Sequence, residues 1–153
     1  MIPSVPQEYA DLVQQGNELI EQKKYAEAVV KYAKAIKTAP SATIAIFNLG
    51  CALDELGDPK AEEFYRTAAN MGDINASYNL AYWYYRDGQK SNALRYFRQH
   101  LHQSPEDDHT QYAKDMVAEL EQLFPNALEI IWPNPLPEWR WPIEVRSGLL
   151  ELA

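Results

Sequence analysis

Hydrophobic and polar positions repeat on two scales in this chain. The shorter scale is helical. Between Glu8 and Glu21 the apolar residues Leu12, Val13, Leu19 and Ile20 fall on one side of an α-helix. Between Tyr25 and Thr38 a side made of Tyr25, Ala28, Val29, Tyr32, Ala35 and Ile36 opposes one carrying Lys24, Lys31, Lys34 and Lys37, the division expected of a half-buried helix. The basic pair Lys23 and Lys24 marks the turn between them. Pro40 ends the second helix, because proline disfavours helical backbone at the residue before it.

The longer scale is a repeat of 31 to 34 residues: Gly16 is answered by Gly50 and Ala81, Ala28 by Ala61 and Ala93, Tyr32 by Tyr65 and Phe97, and Ala35 by Ala68, while the proline of Pro40 recurs two periods on at Pro105. A fixed period of this length marks stacked helical hairpins. The second hairpin is predicted over Ser41–Leu56 and Lys60 to about Met71, with a turn at Gly57-Asp58-Pro59 one residue shorter than the first. The third is predicted over about Ile74–Asp87 and Lys90–Gln103, turning at Gly88-Gln89. Gly16 and Ala28 are where the first two helices are expected to approach closely, since neither has a bulky side chain.

Ser104-Pro105-Glu106-Asp107 reads as the start of a further helix, with an N-cap, a first-turn proline and two acids at the positive end. That helix runs to about Phe124 with Tyr112, Met116, Val117, Leu120 and Phe124 along a stripe, and caps the last hairpin. Composition then changes. Five of the ten prolines and three of the four tryptophans lie from Pro125 onward, and Pro133, Pro135 and Pro137 favour an extended path. The domain reading is a helical array over 1–124, with repeats at about 7–40, 41–73 and 74–105 and a capping helix at about 105–124, followed by a Pro/Trp-rich tail over 125–153.

Charge narrows the function. A net charge of −8 and a pI near 4.8 repel nucleic acid and anionic membrane, so proteins or peptides are the expected partners. The single Cys51 reads as a small buried or groove-lining thiol. The N-terminal MIPSVPQEYA has no basic region and no apolar run, and no stretch approaches eighteen apolar residues, which gives the expectation of a soluble, cytoplasmic protein.

The segment GNELIEQKKYAEAVVKYAKAIKTAP, with its small, aromatic and proline positions, resembles a tetratricopeptide repeat (TPR), and the resemblance covers roughly residues 7–105 in three units. The junction AEEFYRTAANMGDINASYNLAYWYY resembles the related Sel1-like variant through Ala68, Ala69, Gly72, Ala76 and Leu80. The third unit departs from the pattern, with Ala81 in the usual glycine place and His100 where a small residue is usual. The resemblance implies an all-α, right-handed α-solenoid of three TPR-like helical hairpins, with a C-terminal capping helix and an extended tail. It also implies a scaffold whose first helices line a concave groove.

Helix periodicity selects Asn17, Phe47, Asn48, Tyr78, Asn79, Tyr82, Tyr85 and Arg86 as candidate groove residues. The amides can satisfy the backbone of an extended peptide, and the aromatic rings can hold prolines or apolar side chains. The alternative, tyrosines packed between helices and asparagines facing water, stays open. A TPR subgroup that clamps acidic chaperone C-termini matches at Asn17 and Asn48. However, Val13, Asn75 and Asn79 stand where cations would be needed, and Glu21, Asp54 and Glu55 oppose a carboxylate.

No catalytic motif, cofactor loop or metal-ligand pattern is present, and no enzyme is expected. His100 and His102 point to different faces of one helix, and His109 lies beyond a break. Trp132, Trp139 and Trp141 make the tail a docking segment. The expected function is a protein–protein interaction scaffold that holds an extended peptide while its tail packs on the helices. The alternatives are a small secretion or assembly chaperone and a self-assembling structural protein. Self-assembly would join chains through the tail, or through Lys23, Lys24, Lys31, Lys34 and Lys37 meeting the acids from Glu106 to Glu121.

Overall fold

The computed structural model describes residues 5–104 and 106–125. Among them are α1 (Gln7–Glu21), α2 (Tyr25–Thr38), α3 (Thr43–Glu55), α4 (Ala61–Asn70), α5 (Ile74–Arg86), α6 (Lys90–Gln103) and α7 (Thr110–Leu123), with no strand. Each predicted helix is present. The tail, with Trp132, Trp139 and Trp141, lies outside the described residues. No helix among the described residues is long and apolar enough to cross a membrane.

Each hairpin turn is built the same way. After α1, Lys23 N–H donates to Ile20 O (2.9 Å) and Lys24 N–H to Leu19 O (2.8 Å). After α3, Gly57 and Asp58 donate to Asp54 O and Leu53 O, both at 2.9 Å, and after α5, Gly88 and Gln89 donate to Tyr85 O and Tyr84 O. These paired bonds are a Schellman closure, which satisfies orphan carbonyls but needs a left-handed residue after the helix. Gly57 (φ 69°) and Gly88 (φ 82°) adopt that conformation without strain, whereas Lys23 adopts it at φ 58° as a non-glycine.

The second turn is not the shorter one. Residues 56–60 separate α3 from α4, against 22–24 in the first hairpin and 87–89 in the third. Asp58 causes the difference: its Oδ1 accepts from Lys60 N–H (2.9 Å) and its O from Ala61 N–H (3.1 Å), forming a tight turn before the regular helix begins.

The described residues fall into two compact units that divide within α4, between Ala68 and Ala69. In the first unit α1 packs on α2 and α2 on α3, around Ala28, Tyr32, Ala35, Ile46 and Leu49, none more than 1–2% exposed. Gly16 lies against the Tyr32 ring. Tyr9 adds a contact the apolar pattern did not announce: its hydroxyl accepts the buried Ala45 N–H at 3.0 Å, so a side chain of α1 caps the first turn of α3.

In the second unit α5 packs on α6 and α6 on α7. Buried polar side chains here are hydrogen-bonded through one end, while Gln99 Oε1 and His100 Nε2 have no hydrogen-bond partner among the described residues. Gln99 Nε2 donates to Ala69 O (3.3 Å) and Ser77 Oγ (3.2 Å), and Asp73 caps α5 by accepting from Ala76 N–H at 2.9 Å. His100 is completely buried, with Nδ1 2.9 Å from Ile74 O. The large residue at this small-residue position is thus accommodated by a hydrogen bond to backbone.

The start of α7 differs from the sequence expectation. Regular helix begins at Thr110, not at Pro105, because Asp107 organises a turn of its own. Its carboxylate accepts from His109 N–H (2.8 Å), Ser104 Oγ (3.0 Å) and Thr110 Oγ1 (3.2 Å), while Thr110 Oγ1 accepts from Asp107 N–H (2.8 Å). The buried face of α7 is Ala113, Met116 and Leu120. Tyr112, expected in that stripe, is 38% exposed, because the face through 113, 116 and 120 leaves position 112 beside it.

Candidate functional site

In the first unit the candidate amides are joined. Asn17 Oδ1 accepts from Tyr32 Oη–H (2.6 Å) and from Asn48 Nδ2 (3.2 Å), so one carbonyl holds α1, α2 and α3 together. Burial, and secondarily the Cys51 thiol, push the Tyr32 hydroxyl up to about 12, which keeps it a proton donor. Tyr65 repeats the arrangement one hairpin later, donating to Asp54 Oδ2 (3.3 Å). Burial, then Cys51 and Asp54, raise its pKa well above the ordinary phenol value. Phe47 packs on the Tyr65 ring with centroids 6.0 Å apart.

Beside these groups is a pocket of about 450 Å³. Tyr32, Asn17 and Asn48 line it, together with the Cys51 thiol. Ile20 and Tyr25 add an apolar and an aromatic surface, and the exposed Glu21 and Glu55 complete it. No lysine, arginine or histidine lines it.

The second unit presents a different surface, built from α5 and α7. Tyr82 is 41% exposed and Tyr112 38% exposed. The Arg86 guanidinium lies 5.1 Å from the centre of the Tyr82 ring, a cation–π contact that holds the ring flat against a charge. Tyr85 Oη–H donates to Glu119 Oε1 at 3.4 Å, across from α5 to α7. Partial burial, with the neighbouring Tyr82 and Tyr85 hydroxyls and the Glu119 carboxylate, raises the pKa of Tyr112 above its ordinary value. Tyr112 therefore stays a neutral donor.

Tyr78 is occupied within this unit. His109 stacks on its ring at 4.2 Å and 23°, and Phe97, His100 and Tyr112 lie within 6.1 Å or less of its centroid. It ties the start of α7 to α5, and only part of it faces solvent. Asn79 is half-buried and already engaged in an interaction. Asp107 anchors the turn that brings His109 to Tyr78. Desolvation acts to raise its carboxyl, but hydrogen bonds from His109, Ser104 and Thr110, with His100 nearby, hold it below the ordinary carboxylate value.

The structure thus brings Asn17 and Asn48 together in one unit, and Tyr82, Tyr85 and Arg86 together in the other. Sequence reasoning missed Tyr25 and Ile20 as pocket residues and Tyr112 as a surface aromatic. Tyr25 had a signal, since the first residue of α2 lies one turn from the hairpin and is only half-buried. Tyr112 was missed because it was placed in the buried stripe, whereas the buried face runs through Ala113, Met116 and Leu120 beside it.

Residues 75–107 match the family model described as tetratricopeptide repeat. The match covers nearly all of α5, α6 and the turn after them, which is the third hairpin. It does not describe the Sel1-like variant. No curated protein matches the chain. Repeats of this type are generally protein-interaction folds.

Proposed function

We propose that this tetratricopeptide-type chain is a non-enzymatic scaffold that holds an extended segment of a partner protein. The observation that carries the reading is the pair of exposed rings, Tyr82 and Tyr112, on adjoining helices beside Arg86. Large rings with hydroxyl tips supply apolar contact area and a hydrogen bond at the same point, and they dominate binding energy where they are rigidly held. Here the Tyr85–Glu119 bond and the buried α5/α6 packing provide that rigidity. An extended segment containing proline suits the surface, because it loses little backbone freedom on binding and offers a flat ring to each tyrosine.

Asn17, Phe47 and Asn48 form the corresponding candidate surface of the first unit. We infer in addition that the C-terminal segment carrying Trp132, Trp139 and Trp141 packs on the helical part and adds to its stability. The net charge of −8 favours a protein partner over nucleic acid.

Selection of 12-residue peptides from a random display library on the full chain tests this reading. The recovered peptides are expected to be rich in proline and apolar residues and to lose at least tenfold in affinity against Tyr82→Ala/Tyr112→Ala. Recovered peptides that bind that variant equally well would overturn it.

A further inference from the structure

We infer that the pocket of the first unit receives an arginine side chain from the partner segment, a specificity that rests on the scaffold reading above and sharpens it. Four observations lead there. First, the pocket holds about 450 Å³, room for a long side chain as well as part of a backbone. Second, its charged lining is Glu21 and Glu55, with no cation among the lining residues; Lys23 and Lys24 follow Glu21 in the turn but do not line it. A carboxylate entering here would meet two like charges, whereas a cation meets two partners.

Third, the amide chemistry is directional. The Asn17 carbonyl is saturated by Tyr32 and by one N–H of Asn48, so the Asn48 carbonyl is the amide acceptor left beside the remaining amide N–H groups, and the carboxylates of Glu21 and Glu55 add four acceptor oxygens and no donor. Acceptors therefore prevail among the groups left to a ligand, which suits a side chain that only donates. Fourth, Tyr25 and Ile20 supply the aromatic and apolar surface on which a planar guanidinium and its methylene stem can lie. These features together favour arginine over lysine, because a guanidinium stacks on a ring and reaches two carboxylates with fixed, forked donors. The specificity is the reverse of the acidic-tail clamp that Asn17 and Asn48 alone would suggest.

The test uses the full chain and two synthetic peptides, acetyl-Gly-Pro-Arg-Pro-Gly-amide and its citrulline counterpart, which is nearly isosteric but uncharged. Titrations are followed by the side-chain amide resonances of Asn17 and Asn48. The arginine peptide is expected to shift both and to bind at least tenfold more tightly than the citrulline peptide, with a preference that weakens in high salt. Glu21→Gln/Glu55→Gln, at exposed positions, should abolish the preference and leave the thermal unfolding curve in place.

Equal affinity for the two peptides, a preference that survives in the glutamine variant, or absence of shifts at Asn17 and Asn48 would each overturn the inference. Shifts of the same amides on diluting the free chain, or on changing Arg140 and Arg146 to Gln, would assign the pocket to a second copy or to the chain's own C-terminal residues. Either would overturn the partner arginine. Failure here leaves the Tyr82/Tyr112 reading standing, because that reading is measured on other residues with other peptides.

Discussion

The ring of Tyr32 occupies the space that a β-carbon on Gly16 would need: such an atom would sit 2.8 Å from Tyr32 Cδ1 and Cζ and closer still to Cε1. Gly50 and Tyr65 stand in the same relation one hairpin later, at 2.8 and 2.9 Å. Glycine in these two helices is therefore a consequence of where the repeat places its tyrosines. In the third hairpin the aromatic is Phe97, without a hydroxyl to place, and the corresponding Ala81 is fully buried.

Gly16→Ala should accordingly destabilise the chain, although alanine is the better helix former by about 1 kcal/mol. Tyr32 is 1% exposed and held by Asn17, so its ring has no room to yield. A net loss of about 1–3 kcal/mol in urea unfolding is expected, and a gain would show that the ring moves freely.

Lys23→Gly should act in the opposite sense. Lys23 is the left-handed residue of a turn whose two counterparts are glycines. Relief of about 1–2 kcal/mol of backbone strain is partly offset by the greater freedom of an unfolded glycine, leaving about 0.5–1 kcal/mol of stabilisation. Chemical denaturation of the two proteins side by side checks it; an unchanged midpoint would mean that Lys23 is not strained.

Most of the helical framework was legible in the sequence because it is written in local terms. Period-3.6 apolar stripes gave the helices, and small residues facing aromatics gave the repeat. What was not legible depends on contacts between distant residues. Nothing near Tyr9 announces that its hydroxyl serves Ala45, and nothing near Asp107 announces that its carboxylate delays α7 to Thr110. Of the candidate site, Asn17 with Asn48 and Tyr82 with Arg86 could be anticipated from helix faces. The engagement of Tyr78 by His109 could not, because it depends on the path of the turn from 104 to 109.

Tyr9→Phe isolates the capping contact between α1 and α3. The ring remains to fill its site, but the buried Ala45 N–H loses its acceptor. A cost of about 1–3 kcal/mol is expected, measured by thermal or urea unfolding; a loss below a few tenths would mean that the N–H finds another acceptor.

Alkaline stability should report on Tyr32. Its pKa is raised from 10.0 to about 12, chiefly by burial, so the folded state keeps a proton that the unfolded state releases. The associated stability is whole below pH 10 and declines as pH rises from 10 toward 12. Unfolding free energies across that range should fall less steeply in Tyr32→Phe than in the parent chain; parallel slopes would remove Tyr32 as a contributor.

The claim that the exposed tyrosines receive an extended partner segment is tested most directly by intermolecular nuclear Overhauser effects between a bound, proline-containing 12-residue peptide and the full chain. The account predicts cross-peaks from proline ring protons to the aromatic protons of Tyr82 and Tyr112. Tight binding with cross-peaks confined to other residues would contradict it.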